Sequence, residues 1–365
     1  VTVLPRRAPI VAGLPPSKPF VGPEELARRA GVTALLRLGA NESSFGPPPG
    51  ALVAMRDALA QTNWYGDPEA YDLRRALAAR HGCAPECVTI GAGIDDLLGL
   101  VARAFLAPGD VSVSTLGSYP TYVYHVVGYG GRVEGVPYEA DGSVPLHALA
   151  ERARATDARI VYLANPDNPS GSFAGRAAVS EFLAALPSDI AIVLDEAYGD
   201  FARVDELLPR TDDPRVIRLR TFSKAYGLAG ARIAYGIAAP QAIAAFDKIR
   251  HHFGVNRTAQ VGALAALGEE AFVADVVTEV ARGRDDYHAL ARRLGLPSLP
   301  SRTNFVCIDL GSRARAEAMV EAMLARGIFI RKPGAPPLDG CIRVTVGTPP
   351  ERARFAAAFE EILRS

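Results

Sequence analysis

Charge of one sign, cysteine and long apolar runs are all scarce in this sequence, and each scarcity excludes something. Lys+Arg and Asp+Glu number 40 each among 365 residues, so the formal net charge is zero. A balanced chain with no dense Lys/Arg run offers no electrostatic footprint for nucleic acid or an anionic membrane. No segment approaches the roughly 18 consecutive apolar residues of a membrane span. The start, Val1 to Pro9, lacks the apolar centre of a signal peptide. There are four cysteines. Cys83 and Cys87 are four apart and Cys307 and Cys341 stand alone, a spacing unlike a zinc site, so no metal is expected. Reduced, mostly buried thiols point to the cytoplasm. Internal repeats and low-complexity tracts are absent.

What is present is an ordinary globular balance, 49% hydrophobic and 22% charged, in a chain long enough for one large core and a smaller one. The Pro/Gly-rich start reads as an extended arm, followed by a short helix at Pro23–Ala30. Leu38–Gly50 (LGANESSFGPPPG) reads as a loop. The apolar residues of 96–105 fall on one helical face. Val111–Val113, Arg159–Leu163, Ile190–Leu194 and Val216–Leu219 are short, β-branched runs suited to strands buried on both faces of a parallel sheet. With helical segments such as Arg176–Ala185 between them, they define an α/β domain. After about residue 240 the alternation loosens. A long helical stretch from Pro240 past Ala266, interrupted near Gly254, is followed by helices at 271–294, 315–326 and 351–363, with strands at 304–310 and 341–346. That pattern is a smaller α+β domain. The expected division is an arm and the start of the small domain at 1–40, a large domain at 41–250 and the rest of the small domain at 251–365.

Four stretches carry chemistry. In TFSKAYGLAGAR (221–232), Lys224 follows a buried strand among small residues, where a lysine can form a Schiff base with an aldehyde cofactor. On spacing alone it also reads as a solvated loop lysine. In IAIVLDEAY (190–198), Asp195 ends an apolar run, at the strand end where ligands of open parallel sheets bind. A carboxylate buried there needs a cation, and a protonated pyridine nitrogen would serve. A structural ion pair is the other reading. In LANPDNPSG (163–171), Asn168 lies in a turn or donates to a ring oxygen. In TIGAGIDD (89–96), glycines before a helix leave N–H groups free to hold a phosphate, without the glycine spacing of a dinucleotide fingerprint. Tyr119, in the aromatic cluster 119–124, can stack on a planar ring or simply fill core.

Taken in order, NES (41–43), WYGDPE (64–69), GIDD (93–96), NPDNPSG, DEAY, SKAYGLAGAR and IRVTVGT (342–348) make the chain resemble the fold-type-I aminotransferases, most of all their histidinol-phosphate aminotransferase branch, from about Gly13 to the last helix. The resemblance implies a large domain with a mainly parallel seven-stranded sheet flanked by helices, a smaller α+β domain, and pyridoxal phosphate (PLP) as cofactor. It implies that Lys224 is the Schiff-base lysine and Asp195 the partner of the pyridine nitrogen. Asn168 and Tyr198 correspond to the pair bonding the phenolic oxygen, and Tyr119 to the stacking ring. Gly93, Ile94, Asp95, Ser223 and Arg232 correspond to the phosphate cup. Tyr65 is similar to a tyrosine that reaches the cofactor phosphate of a neighbouring subunit, which implies a homodimer with shared sites. Asn41, Arg331 and Arg343 fall at substrate contacts. Phe20 stands where the family commonly has an arm tyrosine that helps hold the substrate phosphate, and it has no hydroxyl.

The implied activity is ping-pong transfer of an amino group between a small-molecule donor, histidinol phosphate or an amino acid, and a 2-oxo acid, in cytoplasmic amino-acid metabolism. Alternatives on the same fold are an amino-phosphate or amino-acid decarboxylase and an amino-acid oxidase. A ligand-sensing module would want a DNA-binding helix-turn-helix, for which the stretch before Leu38 has no room.

Overall fold

The computed structural model describes residues 5–14, 21–32, 35–209 and 211–364. Eleven strands are present among them: β1 Leu36–Arg37, β2 Val88–Gly91, β3 Val111–Thr115, β4 Arg132–Val136, β5 Ile160–Ala164, β6 Ala191–Asp195, β7 Val216–Thr221, β8 Ala234–Ile237, β9 Phe305–Asp309, β10 Ile328–Phe329 and β11 Cys341–Thr345. Seven of them form one sheet in the order β2-β8-β7-β6-β5-β3-β4. All neighbours pair in parallel except β8, which runs antiparallel to both β2 and β7.

The centre of this sheet is buried at every position of β3, β5 and β6. Hence β5 and β6 read as continuous apolar runs rather than alternating ones, while β3 (VSVST) buries small hydroxyls between its valines. Helices cover both faces. Leu97, Leu98 and Val101 of the helix Ile94–Phe105 join Tyr122, Tyr162, Val193 and Phe246 in one core layer. On the opposite face Leu149, Val179 and Phe182 pack against Val113, Val161 and Ile192.

A second core gathers Leu36 and Leu38 with Val280, Tyr287, Phe305, Ile308, Ile342, Phe355 and Phe359. Its strands form two small pairs, β1 with β10 in parallel and β9 with β11 antiparallel. Tyr198, Phe201 and Ala225 from the large sheet's loops also join this core, so the site residues sit against it.

The local readings differ from the structure in two places. The stretch expected to be an extended arm contains a helical turn at Pro9–Ala12. The stretch from Pro240 past Ala266 is two helices, Pro240–Asp247 and Arg257–Leu267. The second begins at an N-cap, where the Asn256 side chain accepts from the Ala259 N–H.

Candidate active site

Strand direction assembles the site. β2, β3, β5, β6 and β7 all point their carboxyl ends to one edge of the sheet. Just beyond those ends lie Gly93–Asp95, Tyr119, Asn168, Asp195 with Tyr198, and Ser223 with Lys224. β8 runs the other way, so Arg232, two residues before it, arrives at the same edge. This is where open parallel sheets bind ligands.

Asp195 closes β6, aligned with Ala164 on one side and Leu219 on the other. One carboxylate oxygen accepts from the Ala197 N–H at 2.9 Å and the other from the Tyr162 hydroxyl at 2.7 Å. Burial pushes its pKa up to about 6, against the pull of those two donors; Asp95 adds to the rise and Lys224 opposes it. A buried carboxylate held this way wants a cation opposite it.

The Lys224 Nζ stands 5.5 Å from the centroid of the Tyr198 ring. Tyr198 is itself fixed: its hydroxyl accepts from Asn41 Nδ2 at 2.8 Å and its ring meets Phe305 edge-on. Asn41 is buried with a left-handed backbone (φ 55°), which asparagine tolerates better than most residues. Its N–H donates to Thr345 Oγ1, and Asn304 Nδ2 donates to its carbonyl.

The cup lies at the start of the helix Ile94–Phe105. Gly93 has φ 92°, and a Cβ there would come within 2.2 Å of Arg232 Nη2. Only glycine allows the guanidinium so close to the helix N-terminus. Arg232 is left-handed (φ 57°) and donates to the Ala229 carbonyl. Asp95 Oδ1 accepts from the Tyr119 hydroxyl at 2.7 Å, and Oδ2 lies 3.7 Å from Arg232. The Ser223 N–H and hydroxyl are both tied to Thr221 Oγ1.

Asn168 uses its amide oxygen to accept from Arg343, which leaves its NH₂ as the group available to an oxygen acceptor. Arg343 and Arg331 face each other across an antiparallel bridge. Arg343 has no carboxylate within salt-bridge distance among the described residues. Its guanidinium bonds Asn168 and the Gly39 carbonyl, and its Nε is buried without a partner. Burial lowers the pKa of both arginines, and burial together with the Arg343 charge brings Arg331 down to about 10. Two desolvated guanidiniums side by side are the complement of an anion.

These residues fit a phosphorylated pyridine aldehyde: a strand-end lysine, a buried carboxylate for a ring cation, a ring beside the cup, and N–H groups plus an arginine for a phosphate. The cradle that a Cβ at Gly93 would fill is the most specific of these features. Two expected residues stand apart. Tyr65 is 76% exposed, with its ring on Phe253 at 4.6 Å and its carbonyl bonded by Arg257. Phe20 lies outside the described residues. Sequence reading passed over Tyr162, Asn304 and Thr345. For Tyr162 a signal existed: a tyrosine inside a wholly buried strand needs a partner for its hydroxyl.

Fold and site together define a fold-type-I cofactor-dependent transferase. The chain belongs to the family described as aminotransferase class I and II, whose model matches residues 33–359. It is an aminotransferase. Among curated relatives it is 38% identical to histidinol-phosphate aminotransferase 2 of Ralstonia nicotianae, over 98% of this chain and 95% of that one. It is 36% identical to the histidinol-phosphate aminotransferase of Anaeromyxobacter sp., over 99% and 100%. Among solved structures it superposes on histidinol-phosphate aminotransferase from Sinorhizobium meliloti in complex with pyridoxal-5'-phosphate, with a TM-score of 0.95, 45% identity, and coverage of 100% of this chain and 99% of that one. The L-threonine-O-3-phosphate decarboxylase of Porphyromonas gingivalis shares the fold at a TM-score of 0.77 and 24% identity, which speaks to fold alone.

Proposed function

We propose that this PLP-dependent aminotransferase takes its amino group from histidinol phosphate and passes it to a 2-oxo acid, the first product leaving before the acceptor enters. The observation that carries the reading is Arg343: a half-buried guanidinium whose Nε is closed off from solvent, with no carboxylate partner among the described residues, beside Arg331 and bonded to Asn168. Such a pair takes the donor's phosphate and then the acceptor's carboxylate at one place, which suits alternating substrates. Full-length likeness to relatives named for histidinol phosphate supports the donor.

Bound PLP supplies an electron sink for the carbanion at the donor's α-carbon. The residues divide the remaining work. Lys224 would hold the cofactor through its amine, and the same amine, when free, would be the base for the α-proton. Asp195 would face the ring nitrogen and keep it protonated. Asn168 and Tyr198 would bond the ring's phenolic oxygen. Tyr119 would cover one ring face, its tilt fixed by the tether to Asp95. The N–H groups of Ile94 and Asp95, with Ser223 and Arg232, hold the cofactor phosphate.

The same reading gives the chain a homodimeric form in which Tyr65 serves the partner's site. Trp64 (63% exposed), Tyr65, Phe253, Leu52, Val53 and Leu59 are exposed, an apolar set that a second copy would cover. The proposed large unit spans 41–250, with 1–40 and 251–365 forming the small one. Leu36 and Leu38 packing in the second core supports the first assignment. The helix Arg257–Leu267 packs instead with Ala51, Leu73 and Leu77 beside the large sheet. The four thiols are free, which suits the cytoplasm. No described helix is long and apolar enough to cross a membrane.

The test is a half-reaction screen. The loaded enzyme is mixed with histidinol phosphate and with the common amino acids, without acceptor, and the cofactor's absorbance is followed. Fast conversion to the aminated cofactor with histidinol phosphate is expected. Faster conversion with an aromatic or acidic amino acid would refute this choice of donor.

A further inference from the structure

Asp195 is held by a residue that the ring-nitrogen pairing does not account for. Tyr162 lies in the middle of β5, fully buried. Its hydroxyl donates to Asp195 Oδ2 at 2.7 Å. Its ring cannot turn away, because Tyr122 stacks on it at 4.4 Å with the planes 15° apart. Tyr122 is anchored in turn by a hydroxyl contact to Ser112 on β3, the strand beside β5. The donor to Asp195 is therefore fixed by two strands and a stacked ring, and not by a mobile loop.

We propose that Tyr162 is a positioning residue for the transamination: its hydroxyl holds Asp195 as a carboxylate aimed at the ring nitrogen, so that the shared proton stays on the ring. The proposal rests on Asp195 facing that nitrogen. The chemistry is direct. A proton between a buried carboxylate and a pyridine leaves whichever partner is better stabilised without it. In a buried site Asp195 on its own favours the neutral acid, as its raised pKa reflects. A donor on one oxygen stabilises the carboxylate and returns the proton to the ring, where it strengthens the electron sink. The phenol itself does not compete for that role: burial and the Asp195 charge drive its pKa well above the usual tyrosine range, so it remains a donor. The other charges bearing on Asp195 are Lys224, which favours the carboxylate, and Asp95, which opposes it. Tyr162 also feels Asp167.

The test uses the holoenzyme loaded with PLP labelled with ¹⁵N in its ring, read by the ring-nitrogen chemical shift. Wild type should give the protonated position, and Asp195→Asn should move it to the unprotonated one. Tyr162→Phe should move it part of the way and lower kcat about 10-fold, the effect of losing one hydrogen bond to a charge, with KM for the donor within about 2-fold. Tyr122→Phe, which removes a buried hydroxyl from the same stack but not from Asp195, should leave the resonance in place. A wild-type shift in Tyr162→Phe overturns the proposal, as does an equal displacement in Tyr122→Phe, which would make the effect one of packing. If Asp195→Asn leaves the resonance unmoved, the pairing itself fails and takes the proposal with it. Should Tyr162→Phe not fold or not load, 3-fluorotyrosine at position 162 decides. As a stronger donor it should lower the titration midpoint of the ¹³C-labelled Asp195 carboxyl in the cofactor-free protein, and an unchanged midpoint rejects the idea.

Discussion

Lys224, Arg343 and Asp195 each make a separable claim. Replacing Lys224 with alanine removes the amine that holds the cofactor and moves the α-proton, so turnover falls below detection and no absorbance of lysine-bound cofactor remains. A variant that keeps that band contradicts the role. Arg343→Lys keeps a charge but loses the fork that bonds Asn168 and reaches an anion. KM for the phosphorylated donor should rise about 10–100-fold, the effect of one charge-assisted bond. An unchanged KM would place the anion elsewhere. Asp195 predicts a pH effect in the cofactor-free protein. Its folded pKa of about 6 lies above the ordinary 3.8, so the cost of burying the charge is absent below the ordinary value, grows as pH rises from 3.8 to about 6, and is complete above that. Asp195→Asn should therefore be more stable than wild type at pH 8, by on the order of 2–3 kcal/mol. The difference should shrink as pH falls toward 4, read by urea unfolding. A gap independent of pH would contradict the assignment.

At the scale of elements, the turn from β2 into the helix Ile94–Phe105 is the most demanding piece. Gly93→Ala adds a Cβ at φ 92°, ψ 166°, a region all but reserved for glycine, at about 1–3 kcal/mol of backbone strain, and drives it into Arg232. PLP affinity should drop about 10-fold or more while the apoprotein stays folded; equal affinity would mean that Arg232 does not serve the cup. The strands legible in advance were the buried ones. β3, β5, β6 and β7 read as short β-branched runs because both their faces are covered. β4 was not read: RVEGV is an edge strand, mostly exposed until Val136. β2 and β8 (VTIG and AYGI) are four residues long and carry glycine, so they lack the length and pattern of a strand. β8 is nonetheless what brings Arg232 to the site. Of the site itself, Lys224, Asp195 and Asn168 were legible because each ends a readable strand. The contacts behind them, Tyr162 on Asp195, Asn41 on Tyr198 and Thr345 on Asn41, join residues up to 304 positions apart, and no local pattern records them.

For the whole molecule, the proposed dimer makes Tyr65 the residue that tests whether one chain or two make a working site. It stands exposed on the same surface as Trp64 and Phe253 and contributes no contact to the Lys224 pocket of its own chain. Tyr65→Phe should leave sedimentation as a dimer intact and weaken PLP binding about 5–10-fold, one hydrogen bond to a phosphate. Wild-type affinity would remove Tyr65 from the partner's site. The most direct test of the central claim is covalent. The chain has only four lysines, Lys18, Lys224, Lys248 and Lys332, so a tag on any of them is unambiguous. Borohydride reduction of the loaded enzyme, followed by digestion and mass spectrometry, should place one pyridoxyl group per chain on Lys224 in the segment TFSKAYG, and prior exposure to histidinol phosphate without acceptor should abolish the labelling. A tag on another lysine, or labelling of Lys224 that the donor does not prevent, would contradict the account.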